Sequence, residues 1–250
     1  MKQLKLFIGL IALIVAVAGA HSIALSSARG PGTKETRFKV KVENIASPAG
    51  EMASDGTRWP FAVSPGVFVV SSRNVSLFTS GMPASGGLEA QAEDGNPSIL
   101  QKALQAESAH ASHGALSLSG IFNMPVGAEK PGPLVPGHSF EFTFMAVPGM
   151  RLQLAMMFGQ SNDLFYAPES AIALFDTKGR PASGDITSKF ILWDAGTEVN
   201  QEPGVGPDQA PRQLAPNTGV TEGGVVRPVN DAFKYPATRD VLRITVRPEM

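Results

Sequence analysis

Carboxylates gather at two places where an apolar run breaks off. Ser161-Asn162-Asp163 separates RLQLAMMF (151–158) from Leu164-Phe165-Tyr166, and Asp194-Ala195-Gly196-Thr197-Glu198 follows Ile191-Leu192-Trp193. Asp and Glu are depleted in strands and costly to bury unpaired, so either these are solvated turns or something positive sits there. A hard cation such as calcium takes about six to eight oxygens from carboxylates, carbonyls and water, and two strand ends carrying Asp make such a site when brought side by side. On that reading Asp163 and Asp194 are metal ligands, Glu198 is a direct partner or stands just behind them, and Glu202 is solvated. Glu141, the lone carboxylate of Ser139-Phe140-Glu141-Phe142-Thr143-Phe144, becomes a third anionic ligand if the turn at Val147-Pro148-Gly149 is a hairpin whose second arm leads to Asp163. The alternative is that these Asn and Asp residues form Asx turns and hold no ion.

Other chemistries find less support. His110 and His113 are three apart and His138 could complete a zinc set, but helix-borne zinc motifs use a four-residue spacing, so a solvated loop is the better reading. There is no Gly-x-Ser-x-Gly elbow, no Gly-Lys-Ser/Thr phosphate loop and no cysteine, which removes thiolate nucleophiles and thiolate metal sites. A second functional reading remains, an envelope hydrolase using Asp194 and Glu198 as acid and base, for example on a glycan. Trp59, Trp193, Tyr166 and Tyr235 are the chain's full complement of Trp and Tyr, a thin supply for lining a sugar cleft.

The elements that must position these groups are mostly strands. Gly 26 and Pro 20 in 250 residues favour many short strands joined by turns. Phe38, Val40 and Val42 alternate with Lys39, Lys41 and Glu43, the period of a half-buried strand, and Phe140, Phe142 and Phe144 repeat the pattern. GVFVVSSRNVSLF (66–78) reads as two short pieces, and 151–158, 164–166, 172–175, 190–193 and 241–246 as further strands. Asn96 followed by Pro97 predicts a helix from Pro97 to about Glu107. The Pro- and Gly-rich stretch 201–228 is too long for an ordinary connection, so it is either a functional excursion or mobile.

The N-terminus reads as an export signal over residues 1–20: Lys2 and Lys5, an apolar run from Leu6 to Val17, then Ala18-Gly19-Ala20. That run is short for a membrane span, although an uncleaved anchor is the alternative. Residues 21–36 read as a linker ahead of one domain, 37–248. Formal net charge is −1 and no basic run occurs in the body of the chain, which sets nucleic-acid binding aside. The expected location is extracytoplasmic, periplasmic or secreted.

Taken in order, LFTSGMPASGGLEAQAEDGN (77–96), PGPLVPGHSFEFTF (131–144), LQLAMMFGQSNDLFY (152–166), ILWDAGTEVNQE (191–202) and YPATRDVLRITV (235–246) resemble the spondin domain, especially its bacterial members. The resemblance implies an all-β fold, an antiparallel β-sandwich of C2-like type with about eight strands, here with a short helical insertion. It also implies a calcium ion at one end of the sandwich. Asp163 matches the Asp of the family's Ser-Pro-Asp-Trp motif, Asp194 that of its Asp-Ala-Gly-Thr block, and Glu141 its strand Glu. Asn162 and Leu164 replace the Pro and Trp of that motif, and the cysteines of animal members are absent. The expected function is a non-enzymatic binding or adhesion module with an extracellular or envelope partner, protein or glycan. A blander option is a structural envelope protein whose contact surface is the 201–228 loop.

Overall fold

The structure, a computed structural model, describes residues 35–73, 75–109 and 117–249. The export-signal reading, nearly all of the linker, and His110 and His113 lie outside them. In chain order the strands are β1 (Thr36–Asn44), β2 (Glu51–Met52), β3 (Arg58–Trp59), β4 (Val63–Ser71), β5 (Ser117–Phe122), β6 (Ser139–Ala146), β7 (Arg151–Phe158), β8 (Leu164–Pro168), β9 (Ile172–Ala173), β10 (Gly184–Asp185), β11 (Phe190–Asp194), β12 (Arg227–Pro228) and β13 (Leu242–Glu249). Helices α1 (Gly86–Glu93) and α2 (Ser98–Ala109) fall between β4 and β5, and a single turn, α3 (Thr238–Val241), precedes β13.

Two antiparallel sheets pack face to face as an all-β sandwich. One has the order β10-β13-β1-β6; the other runs β12-β11-β8-β7-β4-β5, with β9 also on β7. The sheets differ in how many faces they bury, and the sequence dictates the difference. In β1 and β6 apolar residues alternate with polar ones, so Phe38, Val40, Val42, Phe140, Phe142 and Phe144 enter the core while Lys39, Lys41, Glu141 and Thr143 face outward. Strands β4, β7 and β8 are nearly continuous apolar runs and are buried on both sides. Their inner face meets the Phe-rich core, where Phe142 stacks on Phe68 and on Phe122 with ring centroids 4.5 and 4.9 Å apart. Such pairs add about 0.5–1.5 kcal/mol each beyond the area they bury.

The outer face of the larger sheet is covered by the helices. Leu88, Ala92, Leu100 and Leu104 pack with Val67, Val69, Ala155, Phe165 and Ala167 as a second apolar cluster. Asn96 accepts from the Ser98 amide at 3.1 Å, so α2 starts where the Asn-Pro signal placed it. Helix α1 was not expected; Ser85 caps it by accepting from the Leu88 amide. The two helices cross closely at Gly87, where a Cβ would stand 2.9 Å from Leu100 Cα. Strand β4 holds Pro65 at a register shift against β7, the usual place for Pro in a central strand. Gln91 of α1 donates to Ser64 Oγ at 3.1 Å and to the Pro65 carbonyl at 3.0 Å, pinning α1 to that bulge.

Three expectations change. GVFVVSSRNVSLF contributes one strand, not two: Val75 and Leu77 are buried under the helices outside any strand. The turn after β6 is not a hairpin, because β6 belongs to the smaller sheet and β7 to the larger, and residues 147–150 carry the chain across. And of the two readings of 201–228 the mobile one gives way: Gln209, fully buried, donates to the carbonyls of Gln201 and Glu202 at 3.1 and 2.8 Å and accepts from the Gly204 amide. Among the described residues no helix is long and apolar enough to cross a membrane.

Candidate metal centre

The order β8-β11-β12 sets three strand ends side by side. Asp194 closes β11 opposite Leu164 of β8 on one side and Arg227 of β12 on the other, and Asp163 immediately precedes Leu164. One oxygen each from Asp163, Asp194 and Glu222 lie within 4.8 Å of one another. Asp163 and Asp194 are buried, whereas Glu222 is exposed.

Each carboxylate has a defined set of donors. Asp163 Oδ2 accepts from the Thr197 amide at 2.8 Å, the Thr197 hydroxyl at 3.1 Å and the Glu198 amide at 3.1 Å. Its Oδ1 is buried and meets no donor among the described residues. Asp194 Oδ1 accepts from the Gly196 amide at 2.7 Å, which is an Asx turn, while Oδ2 accepts from Asn200 at 3.0 Å. That same Oδ2 is 2.8 Å from Arg227 Nη2, which also stands 2.7 Å from Glu222 Oε1. The Asx-turn and ion-site readings are therefore compatible at Asp194, and the positive partner anticipated for the strand end is Arg227.

Burial governs the electrostatics. It pushes the Asp163 carboxyl up to about 7, with the neighbouring charge of Asp194 adding to the rise against three donors that oppose it. Asp194 and Glu198 are raised by burial as well. Glu93, at the end of α1, is 2% exposed, and among the described residues no donor reaches either of its oxygens at full hydrogen-bond geometry. Its carboxyl is pushed up to about 7 by burial, against the opposing pull of the Thr197 hydroxyl, with the charges of Glu198, Glu89 and Asp163 adding to the rise. It also sits at a helix C-terminus, the negative end of the helix dipole, which penalises a second negative charge.

The chain matches no protein-family model and no curated protein.

Of the four carboxylates expected as ligands, the fold brings Asp163 and Asp194 together and separates the other two. The Glu198 amide serves Asp163, but its carboxylate turns away, accepting from the Gly219 amide at 2.8 Å and from Asn162 Nδ2 at 3.3 Å. Glu198 thus stands behind the cluster and ties in the 201–228 excursion; a Cβ on Gly219 would collide with its carboxylate. Glu141 belongs to the outer face of the smaller sheet, where it pairs with Lys39 at 2.9 Å. The expected hairpin is absent, so no strand carries Glu141 to Asp163. Glu202 is not simply solvated either: it accepts from the Ser54 amide at 2.6 Å and hydroxyl at 2.7 Å.

Glu222, Arg227 and Glu93 were missed. The first two lie in a Gly-rich stretch with no periodicity, though an Arg between the apolar pair Val225-Val226 and Pro228 is a cation worth testing against any acidic strand end. For Glu93 the signal was the Ser85 cap with Glu89 in the following turn, which marks a helix. The reassignment of Glu141 has a direct check. Glu141→Gln is expected to change stability by less than about 1 kcal/mol, as for other surface ion pairs, and to leave calcium affinity unaltered. Calcium titrations of the two proteins side by side would expose a weaker variant if Glu141 were a ligand after all.

Proposed function

We propose that this chain is an exported, calcium-binding β-sandwich of spondin type, a non-enzymatic module that presents loops to an extracellular or envelope partner. The observation that carries the reading is the convergence of Asp163, Asp194 and Glu222 together with the buried, unpartnered Oδ1 of Asp163. An unpartnered anionic oxygen at a buried site is costly, and a cation is one group that relieves it. The donor set is oxygen only, which suits a hard ion. Asp163, Asp194 and Glu222 would hold calcium, and the ion would supply positive charge that offsets their mutual repulsion. The sequence resemblance and the export-like N-terminus support the rest of the reading.

Calcium that binds the folded chain stabilises it by linkage, by about 1.4 kcal/mol at ten times the dissociation constant. The expected result is a rise in melting temperature between chelator and millimolar calcium, graded with concentration. A melting temperature indifferent to calcium would end the metal reading. A carboxylate hydrolase built on Asp194 and Glu198 has less support. A general acid must reach within hydrogen-bond distance of its substrate, yet these side chains are 1% and 2% exposed and each is committed to a backbone amide.

A further inference from the structure

We infer that Arg227 is a tethered counter-cation that competes with the metal ion for the same carboxylates, so that calcium binds by displacing its guanidinium. The inference rests on the calcium reading above and adds a regulatory element to it.

Three observations lead there. The first is geometric. Arg227 Nη2 is 2.8 Å from Asp194 Oδ2 and 2.7 Å from Glu222 Oε1. A calcium ion held by those carboxylates would need its oxygens at about 2.3–2.6 Å, and a guanidinium nitrogen at hydrogen-bond distance from them stands where the ion must go. The two cations cannot both be satisfied by Asp194 and Glu222 in this arrangement.

The second concerns charge. Glu93, Asp163, Asp194, Glu198 and Glu222 gather at this end of the sandwich, and Arg227 is the cation that forms ion pairs with two of them. Removing it without a replacement would leave Asp194, 1% exposed, with only the Gly196 and Asn200 donors. Arg227 therefore does for the metal-free protein part of what the ion does for the loaded one.

The third is mechanical. The backbone around Arg227 is fixed: Arg227 pairs with Asp194, the Val226 amide donates to Met82 O at 2.9 Å, and the Val229 amide donates to Leu192 O at 3.1 Å. The side chain is not. It is 36% exposed, and its remaining hydrogen bond among the described residues is a long one, 3.4 Å from Nη1 to Val225 O. A long stem carrying a half-exposed head can swing to solvent without moving the strand, and the exposed Glu222 can exchange one cation for the other. Calcium affinity is thereby set below what the bare carboxylates would give, and on loss of the ion Arg227 again offsets part of the charge of Asp194 and Glu222.

The test uses the full chain, titrated with calcium chloride by calorimetry. Arg227→Gln is expected to lower the calcium dissociation constant about tenfold or more, the equivalent of about 1.4 kcal/mol of competing interaction, while lowering the melting temperature in chelator. Arg227→Lys, which keeps the charge without the planar fork, is expected to fall between the two. If wild type and Arg227→Gln bind equally, or the variant binds more weakly, competition is overturned and the calcium site stands. If neither binds calcium, both the site and the competition are lost. Should Arg227→Gln fail to fold, the wild-type protein still decides the question. The NMR signal of the Arg227 guanidinium should move toward that of free arginine on calcium saturation, and a signal that stays in place overturns the proposal.

Discussion

Asp163→Ala is expected to cost about 3–5 kcal/mol of folding stability in metal-free buffer, a large loss for one polar side chain. The reason is that Asp163 is less a charge than a staple. Through Oδ2 it accepts from the Thr197 amide, the Thr197 hydroxyl and the Glu198 amide, and its own carbonyl accepts from the Ala195 amide at 3.2 Å. The β7–β8 turn is thereby fastened to the loop leaving β11. Truncation leaves two backbone amides without acceptors, the Glu198 amide among buried surroundings, and each orphaned donor costs about 1–3 kcal/mol. Asp163→Asn keeps an acceptor in place and is expected to lose less than half as much stability while losing calcium binding. Urea denaturation of the three proteins with and without calcium separates the two roles. A loss for Asp163→Ala no larger than for a surface substitution would show that the staple is unimportant.

The second large effect is a dependence on pH. Glu93 has an ordinary carboxyl value near 4.5 when unfolded and about 7 when folded. The folded state therefore binds the proton more tightly, so its stability is fully present below pH 4.5, falls as pH rises, and levels off above about 7. A shift of this size corresponds to about 3 kcal/mol across the window. Asp163, also pushed up to about 7, acts in the same direction when no metal is bound. Glu93→Gln removes the charge and supplies a donor beside Asp163 and Glu198. It is expected to be more stable than wild type at pH 8, equal to it near pH 4.5, and to flatten the slope between. Urea midpoints in chelator at these pH values provide the measurement, and an unchanged slope in the variant would refute the assignment to Glu93.

How much of this was legible beforehand depends on whether a residue carried a local signal. The alternation in β1 and β6 follows from a single wetted face, so it could be read directly from Phe38-Val40-Val42 and Phe140-Phe142-Phe144. Asp163 and Asp194 stood out because each interrupts an apolar strand end. The turn at 147–150 misled because a hairpin and a crossover between sheets use the same Pro-Gly chemistry; only the pairing of β6 with β1, about a hundred residues away, decides between them. Placing Glu141 at the ion rested on that hairpin and on the family match, and its place on the outer face of β6 beside Lys39 separates it from Asp163. Glu222 and Arg227 could not be read from spacing, since their position is set by the return of β12 to β11 after an irregular excursion. Helix α1 begins with two glycines and buries Gln91 and Glu93 beside Leu88 and Ala92, so no amphipathic pattern marks it in the sequence; packing against β7 and β8 makes it stable.

The pairing of Asp194 with Arg227 has a further meaning for the chain between them. The polypeptide leaves β11 at one residue and comes back to lie beside that same residue, so the excursion is a loop whose two feet touch. Closing such a loop costs only about 0.6 kcal/mol more for each doubling of its length. Its exposed tip, where Leu214 is fully solvated, therefore tolerates a change of length between Gln213 and Asn217, which donate to Asp94 and Glu89 at 3.0 and 3.3 Å, whereas Thr197, Glu198, Gly219 and Glu222 at its base do not. Variation in this protein has a natural place to accumulate, directly above the most tightly specified corner of the fold.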